Sequence, residues 1–179
     1  MFREISIVDK ASAIKYIKCS TEYLEKNARP LPWDYPPLPV GWVWKGYYTR
    51  NLNSPVLNYF GKVAIRLAYV KSQKRHHAFI PGFIIPWHGI TIFDLEIFLK
   101  AFFFSFTIGY AVEKYSDSSP KEHFDLPVST AYFRLAWFIR KCRTWLGMAT
   151  ATNSIQELRS FSIEAVDKFI LDLHARAPP

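Results

Sequence analysis

Residues 30–41 read PLPWDYPPLPVG and hold five of the chain's twelve prolines. Each proline fixes its own φ and removes a backbone donor, so this run fits neither a helix nor the middle of a sheet. It is an extended linker, and it divides the chain. Before it, residues 1–29 read as helical in pieces, with Ile14, Ile17 and Leu24 on one face. After it, WVWKGYYT (residues 42–49) is aromatic and β-branched, the composition of a strand. NLNSP at 51–55 is turn chemistry. KVAIRLAYV at 62–70 alternates Val63, Ile65, Leu67 and Tyr69 with Lys62, Ala64, Arg66 and Ala68. That period of two predicts a half-buried strand with Lys62 and Arg66 turned outward, in a small antiparallel sheet over residues 40–72. Residues 79–87 are cut by Pro81, Gly82 and Pro86 and read as an apolar loop that docks on neighbouring helices.

The last half of the chain reads as helical. A helix is expected from Thr91 or Asp94 to about Tyr115, with Ile92, Leu95, Leu99 and Phe102 at helical spacing. Thr91 suits an N-cap, and Asp94 and Glu96 suit the positive helix end. SDSSP at 116–120 ends it. In a following helix Ser129 is a candidate N-cap. There Ala131, Leu135, Phe138, Cys142 and Trp145 form an amphipathic stripe. Ser154 and Glu157 form a capping-box pattern before a final helix with Val166, Phe169, Ile170 and Leu173 on its apolar face.

Composition bounds the class. The 179 residues are 50% apolar and 17% aromatic, enough for a core and too much for a disordered chain. The longest uncharged apolar run, residues 101–112, is shorter than the roughly 20 residues a spanning helix needs. It reads as a buried helix. The first ten residues, MFREISIVDK, carry charges where a secretory signal needs an apolar stretch. Cys19 and Cys142 make neither a CxxC motif nor a disulfide framework, so a reducing cytoplasm is the expected compartment.

The formal net charge is +8, and its placement is more informative than its size. Residues 35–93 contain no Asp or Glu but hold Lys45, Arg50, Lys62, Arg66, Lys71, Lys74 and Arg75. Residues 126–156 are again acid-free and hold Arg134, Arg140, Lys141 and Arg143. Cations segregated in this way fit a surface that meets a polyanion, with nucleic acid the first candidate and an anionic membrane surface the second. Catalysis finds little footing. There is no Walker loop, G-x-S-x-G or H-E-x-x-H motif, and no close grouping of acids. His76, His77 and His88 are conceivable metal ligands, but the nearest carboxylate in sequence is Asp94.

One run carries a resemblance. Arg66, then RHHAFIPGFIIPWHGIT (75–91), a helix, and LPVSTAYFRLAWFIRKC (126–142) resemble bacterial proteins associated with insertion-sequence transposases. These proteins join a zinc ribbon to a helix-turn-helix. His77, Pro81, Phe83, Ile84, Pro86 and Trp87 match the segment that closes the ribbon, and VSTAYFRLAWF is similar to the opening of the recognition helix. The resemblance spans residues 38–146. It departs at the zinc knuckles, where no cysteine stands, so no metal or other cofactor is expected and apolar packing must replace it.

The expectation is therefore an α+β chain. Residues 1–34 form a helical segment and linker, 35–90 a small antiparallel β module of degenerate zinc-ribbon type, and 91–179 a helical module with a helix-turn-helix. The resemblance implies a non-catalytic DNA-binding protein. Ser129, Thr130, Tyr132 and Arg134 would read bases, and Arg140, Lys141 and Arg143 would hold the backbone. Lys71, Lys74 and Arg75 would form a basic tip facing phosphate, pinned by the apolar loop behind it. The alternatives are a protein-interaction subunit or homo-oligomer, built on the aromatics of 30–48 and the apolar helix near Phe102, and a peripheral membrane protein.

Overall fold

The computed structural model describes residues 2–5, 7, 9–26, 33, 35–85, 88–105, 107–119, 126–127, 129–131 and 133–136. The chain divides between Ile92 and Phe93 into two compact units.

The first unit is a helix laid on a four-stranded sheet. Its elements are β1 (Phe2–Ile5), α1 (Lys10–Lys26), β2 (Trp42–Ser54), β3 (Tyr59–Val70) and β4 (Arg75–Pro81), and the strand order is β1-β4-β3-β2. The β2–β3–β4 part is an antiparallel meander, and β1 joins parallel to β4. Together with the helices this is an α+β architecture.

Three expectations are corrected here. Phe2–Ile5 is a strand rather than part of a helix, and residues 1–34 share one unit with the sheet. Its partners lie more than seventy residues away, at Ala78 to Pro81, so nothing local in FREI announces the pairing. The loop expected from Phe79 begins as strand. Pro81 is tolerated there because it is the last residue of β4, where a missing N–H costs no ladder bond. Beyond it, residues 82–85 and 88–91 lie side by side through Ile85 N–H to Ile90 O at 3.1 Å and an Ile84–Thr91 bridge. They bond to β2 through Asn53 N–H to Gly89 O at 2.7 Å, and they dock on α1 through Phe83, whose ring centre lies 6.0 Å from that of Tyr16. Gly82 lets this turn pass β1, because a Cβ there would lie 3.2 Å from the Ile5 carbonyl.

Helix α1 begins at Asp9, whose carboxylate accepts the Ser12 N–H at 2.8 Å. That bond holds the Asp9 carboxyl below its ordinary pKa. Its buried stripe is Ala13, Tyr16, Ile17 and Ser20, at i, i+3, i+4 and i+7, whereas Ile14 is exposed. The reason lies in the sheet. Strand β4 pairs with β3 only from Arg66 to Val70, which leaves the Ala64 backbone without a strand on that side. Tyr16 donates to Ala64 O at 2.7 Å, and Ser20 Oγ accepts Ala64 N–H at 2.5 Å. Two side chains of α1 thus complete the ladder, which selects a polar stripe over the more apolar one.

The second unit contains α2 (Ile92–Ser105) and α3 (Ile108–Asp117). One continuous helix was expected over this range. The break follows from Ser105 and Thr107. The Ser105 hydroxyl accepts the Thr107 N–H at 3.2 Å, and Thr107 is extended at φ −119°, ψ 133°. Leu95, Phe98, Leu99, Phe102 and Phe103 of α2 are buried, as are Ala111 and Tyr115 of α3. Leu126, Ala131 and Leu135 are buried too, so the described part of the expected stripe faces inward.

Candidate nucleic-acid interface

The tip joining β3 to β4 is short and fully solvated: all residues from Lys71 to His76 are exposed. Its geometry is nonetheless held. Lys71 N–H donates to Gly41 O at 3.2 Å and Lys74 N–H to Lys71 O at 3.4 Å. Lys74 sits at φ +51°, a left-handed conformation that a lysine adopts at a cost. Just behind the tip, His77 is buried. Its Nε2 meets Gln73 Oε1 at 3.0 Å, and its ring packs against Trp42 at 4.7 Å. The tip is therefore anchored by β2, Gln73 and His77, and Phe79 packs on Trp42 behind it with ring centres 6.4 Å apart.

Cross-strand register sorts the remaining side chains onto two faces. On the helix-covered face, Arg66 is opposite Tyr47 and Phe79. Its guanidinium carbon lies 4.0 Å from the Trp44 ring centre, 4.6 Å from Tyr35 and 5.7 Å from Tyr47. Arg66 was expected to point into solvent with Lys62; Lys62 does, but Arg66 is a half-buried cation held by three π faces. The same cluster continues inward to Tyr16, whose hydroxyl is 3.2 Å from that of Tyr35. Burial pushes both phenols above their ordinary pKa.

The opposite face is half covered and half open. Near the β2–β3 turn, Leu52, Val63 and Ile65 have no exposed surface. Arg50 closes this end by donating to Ile85 O and His88 O, both at 3.1 Å. Its partial burial pulls its pKa down, opposed by neighbouring Tyr48. Towards the tip the cover ends. Tyr69 and His76 face each other across β3 and β4 with ring centres 5.1 Å apart. Lys45 Nζ lies 5.9 Å from the Tyr69 ring centre, and Tyr48 is 37% exposed. Of the seven cations in the acid-free stretch 35–93, Lys45, Lys62, Lys71, Lys74 and Arg75 are exposed.

The residues proposed from sequence fare differently. Lys71, Lys74 and Arg75 are together at the tip and open to solvent. Ser129 is exposed and Thr130 half-buried at the start of a helical segment. Arg134 is corrected as a base reader, because it is 5% exposed, with its guanidinium carbon 4.5 Å above the Tyr115 ring. Tyr115 in turn donates to the buried Asp94 carboxylate at 3.3 Å. Tyr132, Arg140, Lys141 and Arg143 lie outside the described residues. Lys45, Tyr48, Tyr69 and His76 are not among the contacts proposed from the sequence. The alternation of 62–70 placed Tyr69 on one face, but only the hairpin register brings His76 and Lys45 beside it.

Among the described residues, no three His, Cys, Asp or Glu side chains are grouped to hold a metal ion. No helix among them is long and apolar enough to cross a membrane. Compared with protein-family models, curated proteins and solved structures, the chain matches none.

Proposed function

We propose that this chain is a non-catalytic nucleic-acid-binding protein, with DNA the expected partner and the hairpin of β3 and β4 its electrostatic contact. The observation that carries the reading is the exposed tip of Lys71, Lys74 and Arg75, with exposed Lys45 beside Tyr69, on a meander with no acidic residue from 35 to 93. A phosphate backbone approaching this surface meets cations and no repelling carboxylate of the same stretch. A tip whose backbone is already fixed has little backbone freedom left to lose on binding.

The finer assignments belong to the same proposal. The meander stands for a ribbon-like module without its metal, in which packed aromatics such as Trp42 and Trp44 replace the zinc. In the second unit, Ser129 and Thr130 remain candidate readers at the head of a helix, with Arg140, Lys141 and Arg143 behind them. The tip carries the proposal, because Lys71, Lys74 and Arg75 are all exposed, whereas Arg140, Lys141 and Arg143 lie outside the described residues. The resemblance to transposase-associated proteins adds a mobile-element context to it.

A shift assay on random duplex DNA tests the reading. Three or four phosphate contacts predict an affinity loss of roughly fortyfold to a hundred-and-fiftyfold between 50 and 200 mM salt. Absence of binding at low salt would reject it. A second reading has its own support: Phe104 is 73% and Phe133 72% exposed. Such surface fits a protein contact, a homo-oligomer included. It predicts a mass that rises with concentration in high salt and drops on Phe104→Ser.

A further inference from the structure

We infer that the open half of the sheet face next to the tip is a stacking platform for unpaired bases, so that the preferred ligand is a single-stranded nucleic acid. The inference rests on the nucleic-acid reading above and goes further by naming the form of the ligand.

Register and ring geometry carry the argument. Tyr69 and His76 are direct partners on adjacent strands, with ring centres 5.1 Å apart, on the face that α1 does not cover. Lys45 Nζ reaches over Tyr69 from the next strand at 5.9 Å from its ring centre. His76 and Lys45 are exposed and Tyr69 is half-buried. Tyr48, opposite Ile65, lies on the same face. That is two alternating positions along β3 from Tyr69, or about 14 Å. Aromatic rings are thus spaced along an open strip, and the strip runs to the cations Lys71, Lys74 and Arg75.

The chemistry of this strip selects its ligand. In a duplex the bases stack on one another and offer only their edges in the grooves. Rings lying on a sheet surface have nothing to stack on there. An unpaired strand offers both π faces of each base, and base–aromatic stacking is tolerant of sequence. Its backbone needs a cationic track beside the rings, which Lys45 and the tip supply. The absence of Asp and Glu from residues 35–93 leaves no carboxylate of that stretch to repel the phosphates. The other half of the same face, closed by Leu52, Val63 and Arg50, gives the strip a defined end.

Fluorescence anisotropy on the full chain tests this with three probes of about 12 units, a length within the range that single-strand sites occupy. The probes are labelled oligo-dT, an abasic strand of the same charge, and a duplex. Stacking predicts oligo-dT binding roughly tenfold or more tighter than the abasic strand at equal salt, and tighter than the duplex. It also predicts that His76→Ala and Tyr69→Leu each weaken oligo-dT binding about fivefold to tenfold, while Tyr69→Phe keeps it and none changes binding to the abasic strand. A melt by circular dichroism checks folding. Should Tyr69→Leu unfold, the exposed His76→Ala and the probe comparison decide. Equal affinity for oligo-dT and the abasic strand overturns the platform but leaves the electrostatic reading standing. Duplex binding tighter than oligo-dT also overturns it. No binding of any probe at low salt removes both.

Discussion

The Arg134 guanidinium packs over the Tyr115 ring, and the Tyr115 hydroxyl donates to Asp94, with all three side chains buried. A cation used in this way stabilises its unit and has no surface to offer a phosphate. Arg134→Ala is expected to destabilise the protein by about 2–3 kcal/mol, because it opens a void beside a buried carboxylate and a buried phenol. Urea unfolding measures this. Nucleic-acid affinity, measured where the variant is folded, should stay within twofold; a tenfold loss would restore Arg134 as a contact. The sequence could not separate this arginine from the solvated lysines, because charge and spacing are alike in both. Arg66 repeats the point. Its alternation with Lys62 placed it on the right strand, but the fate of its charge depends on Tyr35 and Trp44, which come from the linker and from β2.

Helix α1 is tied to β3 by polar groups. Tyr16 and Ser20 satisfy the Ala64 backbone where β4 has ended, and Tyr35 adds a second buried phenol 3.2 Å from Tyr16. Both phenols have their pKa raised by burial above the ordinary value of 10.0. The folded state therefore holds these protons more tightly than the unfolded chain. Stability is fully present below about pH 10 and is lost as pH rises beyond it, by up to roughly 1.4 kcal/mol per pH unit for each phenol. A circular dichroism titration should show alkaline unfolding beginning near pH 10. Tyr16→Phe should make that slope shallower and cost about 1–2 kcal/mol at neutral pH, since Ala64 O loses its donor. An unchanged alkaline slope would contradict the account. The β2–β3 hairpin was legible because alternation in 62–70 and the turn residues near 51–55 are local signals. Strand β1 was not, because a four-residue strand paired in parallel at long range leaves no periodicity. The Ser105–Thr107 break was equally silent, with no Gly or Pro to mark it.

At the scale of the molecule, an antiparallel meander concentrates the positive charge. Folding brings three strands of the acid-free stretch together, so that Lys45 on β2 stands beside Tyr69 on β3, which faces His76 on β4. Counting charges along the chain found the stretch; the register decided which cations share a face. The division into units also separates two sets of proposed contacts. The tip belongs to the first unit, and Ser129 and Thr130 belong to the second. The account rests on the tip. Its most direct test is the salt dependence of nucleic-acid binding by the intact chain and by Lys71→Ala/Lys74→Gly/Arg75→Ala, with folding checked by melting. Glycine at 74 suits the left-handed φ of +51°, so the triple variant keeps the turn while losing three charges. The log–log slope should become shallower by about 2–3, with affinity at low salt falling at least tenfold. Equal slopes and equal affinities for the two proteins would contradict the claim that this hairpin is where the polyanion binds.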